Sequence, residues 1–169
     1  MVIDIMLILI ISICFYTDLR FKKIYNCLIF PGIIVALSYH FLVDGPVGIW
    51  FSIKGLLLGI GLLFFPFALG GIGAGDVKLL GFIGACSGPG FVWLTFLATA
   101  LAGGLLAILI LIKNKKLLSG LKVVWYTILS LFGATPRVNM LGTLEAENTT
   151  AFPYGVAITT GTVVAYLMR

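Results

Sequence analysis

Apolar residues run along this chain in long blocks, and polar residues fall between them. A helix needs roughly 17–25 mostly apolar residues to cross about 30 Å of hydrocarbon. The blocks predict spans at Val2 to Thr17, Cys27 to Val43, Ile49 to Leu69, Val77 to Ser87, Phe91 to Ile112 and Phe152 to Met168. The turn Asp44-Gly45-Pro46 ends the second block, and Gly88-Pro89-Gly90 ends the short fourth one. No block alternates apolar and polar positions as a membrane strand does, so helices are preferred to a barrel. The pattern predicts an all-α polytopic membrane protein with about six transmembrane helices, formed by one domain over residues 1–169.

Between Lys115 and Gly133 the polar residues Ser119, Lys122, Tyr126 and Ser130 recur at helical spacing among apolar ones. One polar stripe on an otherwise apolar helix predicts a helix lying in the interface, in preference to a seventh span. Ala134 to Thr150 is polar and reads as a loop. Pro66 predicts a kink near the end of the third span. The N-terminus has no basic region ahead of its apolar block, so the first span is expected to be retained.

Composition removes the soluble alternative. Hydrophobic residues make up 61% of the 169 and charged residues 10%, against about 25% charged in a soluble domain. Mean hydropathy is +1.19. The net charge is +5, but the basic residues are clustered, which fits a membrane face and not a nucleic-acid surface. With the loop Leu19 to Asn26 in the cytoplasm, Arg20, Lys22, Lys23, Lys78, Lys113, Lys115, Lys116, Lys122 and Arg137 fall inside. Only Lys54 and Arg169, of 11 basic residues, fall outside. The lipid bilayer is therefore one partner; oligomeric state leaves no mark on such a sequence.

Two aspartates break the apolar pattern. Asp18 closes the first block, and Asp76 ends the run Gly70-Gly71-Ile72-Gly73-Ala74-Gly75. An acidic side chain at the centre of a span costs about 2.5–3.5 kcal/mol, so each is a functional candidate. Two spans separate them, which returns both to the same membrane depth near the cytoplasmic face. Two carboxyls a few ångströms apart cannot easily both ionise, which leaves one acid and one base from a single residue type. Such a dyad can activate water against a peptide carbonyl and protonate the leaving nitrogen, with no metal or cofactor. Gly73 and Gly75 would give a bare backbone beside the carboxylate, with room for an extended substrate. Asn26 and Lys78 are further candidates for substrate contact. Plainer readings stand beside these: Asp18 as an interfacial cap paired with Arg20 or Lys22, Asp76 and Asn26 as helix caps, and Lys78 as a snorkelling anchor. His40 reads as a satisfied interfacial residue, because no second His or Cys completes a metal site. Cys14, Cys27 and Cys86 read as small hydrophobes.

At this point the residues resemble a family. Gly73-Ala74-Gly75-Asp76 is a GxGD motif continued by Val77-Lys78. Asp18 is followed by a basic stretch and Ile24-Tyr25-Asn26. Pro153-Tyr154-Gly155 opens the last span. Together they resemble the type IV prepilin peptidases, the GxGD aspartyl proteases. The resemblance implies Asp18 and Asp76 as the catalytic pair. It also implies removal of a short basic leader from prepilins or pilin-like precursors at the cytoplasmic face of a prokaryotic inner membrane. Tyr25 stands where the family often has proline. The resemblance is to the short, peptidase-only members, so N-methyltransferase activity is not expected.

Three rival readings remain. A proton- or ion-coupled transporter would use the same two acids, although no inverted repeat is evident. A scaffold without chemistry would not need them. A presenilin-type GxGD protease would carry a Pro-Ala-Leu motif, which this chain lacks.

Overall fold

The computed structural model describes residues 2–68, 71–113 and 154–168. The predicted interfacial helix at Lys115 to Gly133, the loop after it, Pro153 and Arg169 lie outside the described residues. The chain divides into two compact units. One comprises residues 1–102 and 153–169, and the other residues 103–152. In the second unit only the helical stretch 103–113 is described.

Among the described residues there are four helices: α1 (Val2–Phe21), α2 (Asn26–Ala68), α3 (Ala74–Lys113) and α4 (Tyr154–Leu167). An unbroken α2 of 43 residues would run about 65 Å at its rise of 1.5 Å per residue, twice the hydrocarbon thickness. The helix breaks instead at Gly45, with φ 61° and ψ −143°. Helix α3 breaks at Gly88, with φ 81°. Both dihedrals lie where glycine alone escapes a Cβ penalty. The breaks give α2 the arms 26–44 and 46–68, and α3 the arms 74–87 and 89–113. They fall at the two predicted Gly-Pro turns. At Pro66, where the sequence predicts a kink, the dihedrals stay helical to Ala68, and the Pro66 carbonyl accepts the Gly71 N–H at 3.0 Å.

Side-chain contacts fix the direction of each arm. Arm 26–44 runs parallel to arm 74–87, with Asn26 at Lys78, Gly32 at Phe82 and His40 at Cys86. Arm 46–68 runs the opposite way along the same arm, with Ser52 at Ala85, Gly55 at Gly84 and Gly59 at Leu80. The chain therefore reverses at Gly45. Helix α4 is antiparallel to α1, with Gly155 at Asp18 and the Tyr166 hydroxyl donating to Asp4 at 3.1 Å. It is antiparallel to the stretch 89–102 of α3 as well, through Gly161 at Thr99 and Tyr166 at Phe91.

Arm 74–87 is the centre of the first unit. Leu79, Leu80, Phe82, Ile83 and Ala85 on it have no exposed surface. Large apolar side chains such as Leu42, Leu57 and Leu101 face outward. Helices α1, α2 and α3 are each long and apolar enough to cross a membrane, and α4 is a shorter apolar helix. The protein is a multi-pass membrane protein.

Two features hold the centre. Gly55 and Gly84 stand backbone to backbone, so that a Cβ on either would collide with the other's carbonyl. Membrane helices associate by such close approach of small residues, because lipid supplies no hydrophobic drive between them. The second feature is the treatment of the break at Gly88. It strips the last carbonyls of arm 74–87 of their helical partners, and hydrocarbon offers no water in exchange. The Ser52 hydroxyl donates to Ala85 O at 2.7 Å, and His40 Nε2–H donates to Cys86 O at 3.0 Å. His40 is thus the satisfied residue that its lone occurrence suggests.

The Gly55 contact generates a prediction. Gly55→Val should lower stability by about 1–3 kcal/mol or more, the usual effect of overpacking. Gly61→Ala, whose new Cβ meets nothing within 4 Å, should be neutral or stabilising by up to about 1 kcal/mol. Thermal melting of the purified protein in one detergent checks both.

Candidate active site

Helix α1 buries Ile3, Leu7, Ile11, Cys14 and Asp18. These positions recur every three or four residues and form one face. Asp18 is therefore the polar member of a packing stripe, and it is only 6% exposed. The sequence pattern ends the first span at Thr17, but the helix continues to Phe21, which turns Asp18 inward. The interfacial-cap reading of Asp18 is corrected accordingly. Arg20 points instead to the Tyr16 hydroxyl, at 3.4 Å, and to the Phe21 ring. The Lys22 N–H donates to the Asp18 carbonyl at 2.9 Å and closes the helix, with Lys22 itself at φ 51°. A non-glycine residue in that region carries about 1–2 kcal/mol of strain.

Asp76 is the third residue of α3, not its cap. The cap position belongs to Gly73, whose carbonyl accepts the Asp76 N–H at 3.1 Å. The Asp76 carboxyl turns back to the Gly73 N–H, the reciprocal half of a capping box. A Cβ on Gly73 would lie 3.1 Å from Asp76 Oδ2. The side chain is 8% exposed.

The two carboxyls occupy the same end of the bundle, within electrostatic reach of each other. Both line one cleft of about 380 Å³, together with Ile24, Asn26, Gly73 and Gly75. Lys22, Lys23, Tyr25, Asn26 and Gly73 are its exposed lining residues. Gly75 packs against Ile24, where an added Cβ would lie 3.0 Å from the Ile24 Cβ. Of the sequence candidates, Asp18, Asp76, Gly73, Gly75 and Asn26 share this cleft, and Lys78 does not line it. The Lys78 ammonium donates to Asn26 Oδ1 at 3.0 Å and sits 5.2 Å from the Phe30 ring centroid. The Asn26 side chain is thus tied to α3 and does not cap its own helix. Among the described residues no group of three His, Cys, Asp or Glu side chains converges on a metal-sized site.

One wall of the site escaped the candidate residues drawn from the sequence. The first turn of α4 lies against Asp18. The N–H groups of Gly155 and Val156 face its carboxyl, and a Cβ on Gly155 would lie 2.6 Å from Oδ2. The half-buried Tyr154 phenol is within electrostatic reach of Asp76. The signal was the Pro-Tyr-Gly opening of the last apolar block, which contributed to the family resemblance without being placed in the site.

A model of the type IV leader peptidase family matches residues 5–108. The chain belongs to the type IV leader peptidase family. The matched stretch contains both Asp18 and the Gly73-Ala74-Gly75-Asp76 run. No curated protein and no solved structure matches the chain. Membership makes the protein a leader peptidase in broad terms, a hydrolase of peptide bonds. It gives no support to the ion-coupled transporter.

A tie between Asn26 and Lys78 should appear in a double-mutant cycle of thermal stability. Asn26→Leu, Lys78→Met and the double variant are expected to destabilise by similar amounts, with a coupling of about 0.5–1 kcal/mol for a partly exposed charged hydrogen bond. Strict additivity would show that the two side chains act separately.

Proposed function

We propose that this leader peptidase is an aspartyl endopeptidase in which Asp18 and Asp76 perform the hydrolysis. In the reaction, the ionised carboxyl takes a proton from a water molecule, and the resulting hydroxyl adds to the scissile carbonyl carbon. The protonated carboxyl gives its proton to the amide nitrogen as the C–N bond breaks, leaving a carboxylate and a free amine. The observation that carries this reading is the shared cleft. Two nearly buried carboxyls from separate helices line it, next to the bare backbone of Gly73 and Gly75.

The substrate in this reading is a type IV prepilin or pilin-like precursor, cut between its short basic leader and its apolar helix. The cut falls at the cytoplasmic face of a prokaryotic inner membrane. Arg20, Lys22 and Lys23 cluster at the dyad's end of the bundle, which supports that orientation through the bias of basic residues to the inside. The reading takes each arm of α2 and α3 as a separate span, six in all with α1 and α4, because the chain reverses at Gly45 and Gly88. Peptidase action alone is proposed, without methyl transfer.

Co-expression with a candidate prepilin tests the proposal, read by gel shift and N-terminal sequencing. Wild type should release a new N-terminus just after the leader. Asp18→Asn and Asp76→Asn should each lower the cleavage rate by about 10²–10⁴-fold, the range of general acid–base catalysis, while still inserting in the membrane. Full processing by either variant would remove that aspartate from the mechanism.

A further inference from the structure

We infer that the first turn of α4 is the spacer that sets the relative position of the two aspartates, with Gly155 as its positioning residue. The inference rests on the proposed dyad. Four observations carry it. First, α4 opens at the dyad: Gly155 and Val156 face Asp18, and the Tyr154 phenol lies within electrostatic range of Asp76. Second, the Gly155 site has no room for a side chain. A Cβ there would lie 2.6 Å from Asp18 Oδ2, 2.8 Å from Cγ and 3.1 Å from Cβ, all inside normal contact. Third, Asp18 Oδ2 is buried without a hydrogen-bond partner of good geometry. Steric contact with α4 therefore has a large share in setting where that oxygen points. Fourth, α4 is tied at the end away from the site, where the Tyr166 hydroxyl is bonded to Asp4, so its first turn does not move as a free end would.

The consequence is mechanical. Asp18 rides on α1 and Asp76 on α3, and neither helix alone fixes the gap between the carboxyls. A helix wedged against Asp18, with its opening residue within electrostatic range of Asp76, sets where Asp18 stands. A displacement of about 1 Å at a reacting group costs about 100-fold in rate. A group that only positions the reacting atoms should therefore act on kcat and leave KM alone.

The experiment compares Gly155→Ala with Gly161→Ala in the full-length protein, using prepilin cleavage kinetics and thermal melting. Both add a crowded Cβ to α4, but Gly161 is almost two turns away from the dyad. Gly155→Ala is expected to lower kcat by about 10- to 100-fold with KM within about threefold. Gly161→Ala is expected to lower the melting temperature and leave kcat of the folded protein within about threefold. Wild-type kcat in Gly155→Ala, or an equal loss of kcat in both variants, overturns the inference and leaves the dyad standing. If Gly155→Ala does not insert, Tyr154→Phe decides, since it adds no atom. A tenfold loss of kcat at constant KM supports the spacer, and full kcat overturns it. A wild-type protein that cuts no prepilin overturns the dyad reading and the spacer with it.

Discussion

The first unit depends on how closely two backbones approach at Gly55 and Gly84. Those glycines stack arm 46–68 onto arm 74–87 with no side chain between them, and in lipid that contact stands in for the hydrophobic drive of a soluble core. It fixes the depth of the central arm. It also brings Ser52 level with Ala85 and, from the other side, leaves His40 level with Cys86. The two polar side chains then satisfy the carbonyls freed by the break at Gly88. Packing and polar satisfaction are thus one arrangement: the approach that positions the helix also positions its caps.

The depth of the central arm determines where its first turn emerges, and Asp76 lies on that turn. The reversal at Gly45 determines the rest. At Gly45 the chain turns back to the end it left, so α1, descending from Val2, delivers Asp18 to the end where α3 begins. Had α2 run unbroken, its length would have exceeded the bilayer, and the carboxyls would not share a cleft. Gly45, at positive φ, therefore governs whether the acids can meet, although it touches neither; the break at Gly88 lies beyond Asp76.

Much of this was legible in the sequence, for definable reasons. Apolar blocks and Gly-Pro turns mark helices and reversals because lipid tolerates few alternatives, and counting two spans between Asp18 and Asp76 was enough to place them at one depth. Helix ends were less legible. The apolar pattern stops at Thr17, but hydrogen bonding carries α1 one turn further, and that turn buries Asp18. Asp76 read as a cap because Asp favours caps, whereas the glycine before the helix took that position and left Asp76 reaching back. The close contacts at Gly55 and Gly84 were invisible as contacts: a glycine in an apolar run does not say which face it serves. Lys78 is a candidate for substrate contact by adjacency to Asp76, yet two residues along a helix is about 200° around it, and its ammonium finds Asn26 on a different arm.

The site is finally a composite that no short segment contains. Asp18 comes from α1, Asp76 from the start of α3 and the wall against Asp18 from α4, which lies beyond the stretch that the leader peptidase family model matches. A carboxylate on the buried stripe of α1 is a liability for packing, since it sits where Leu7 and Cys14 contribute apolar surface. The fold accommodates it by starting α4 against it, with two backbone N–H groups turned toward the carboxyl. Backbone donors of this kind add no side chain to crowd the cleft and no charge to pair off the acid. They belong to a helix that its far end already secures. The same small residues that let α4 pack tightly, Gly155, Ala157 and Gly161, bring those donors close. In this fold the constraint that makes a membrane helix stick and the constraint that aims an acid are met by the same absence of side chains.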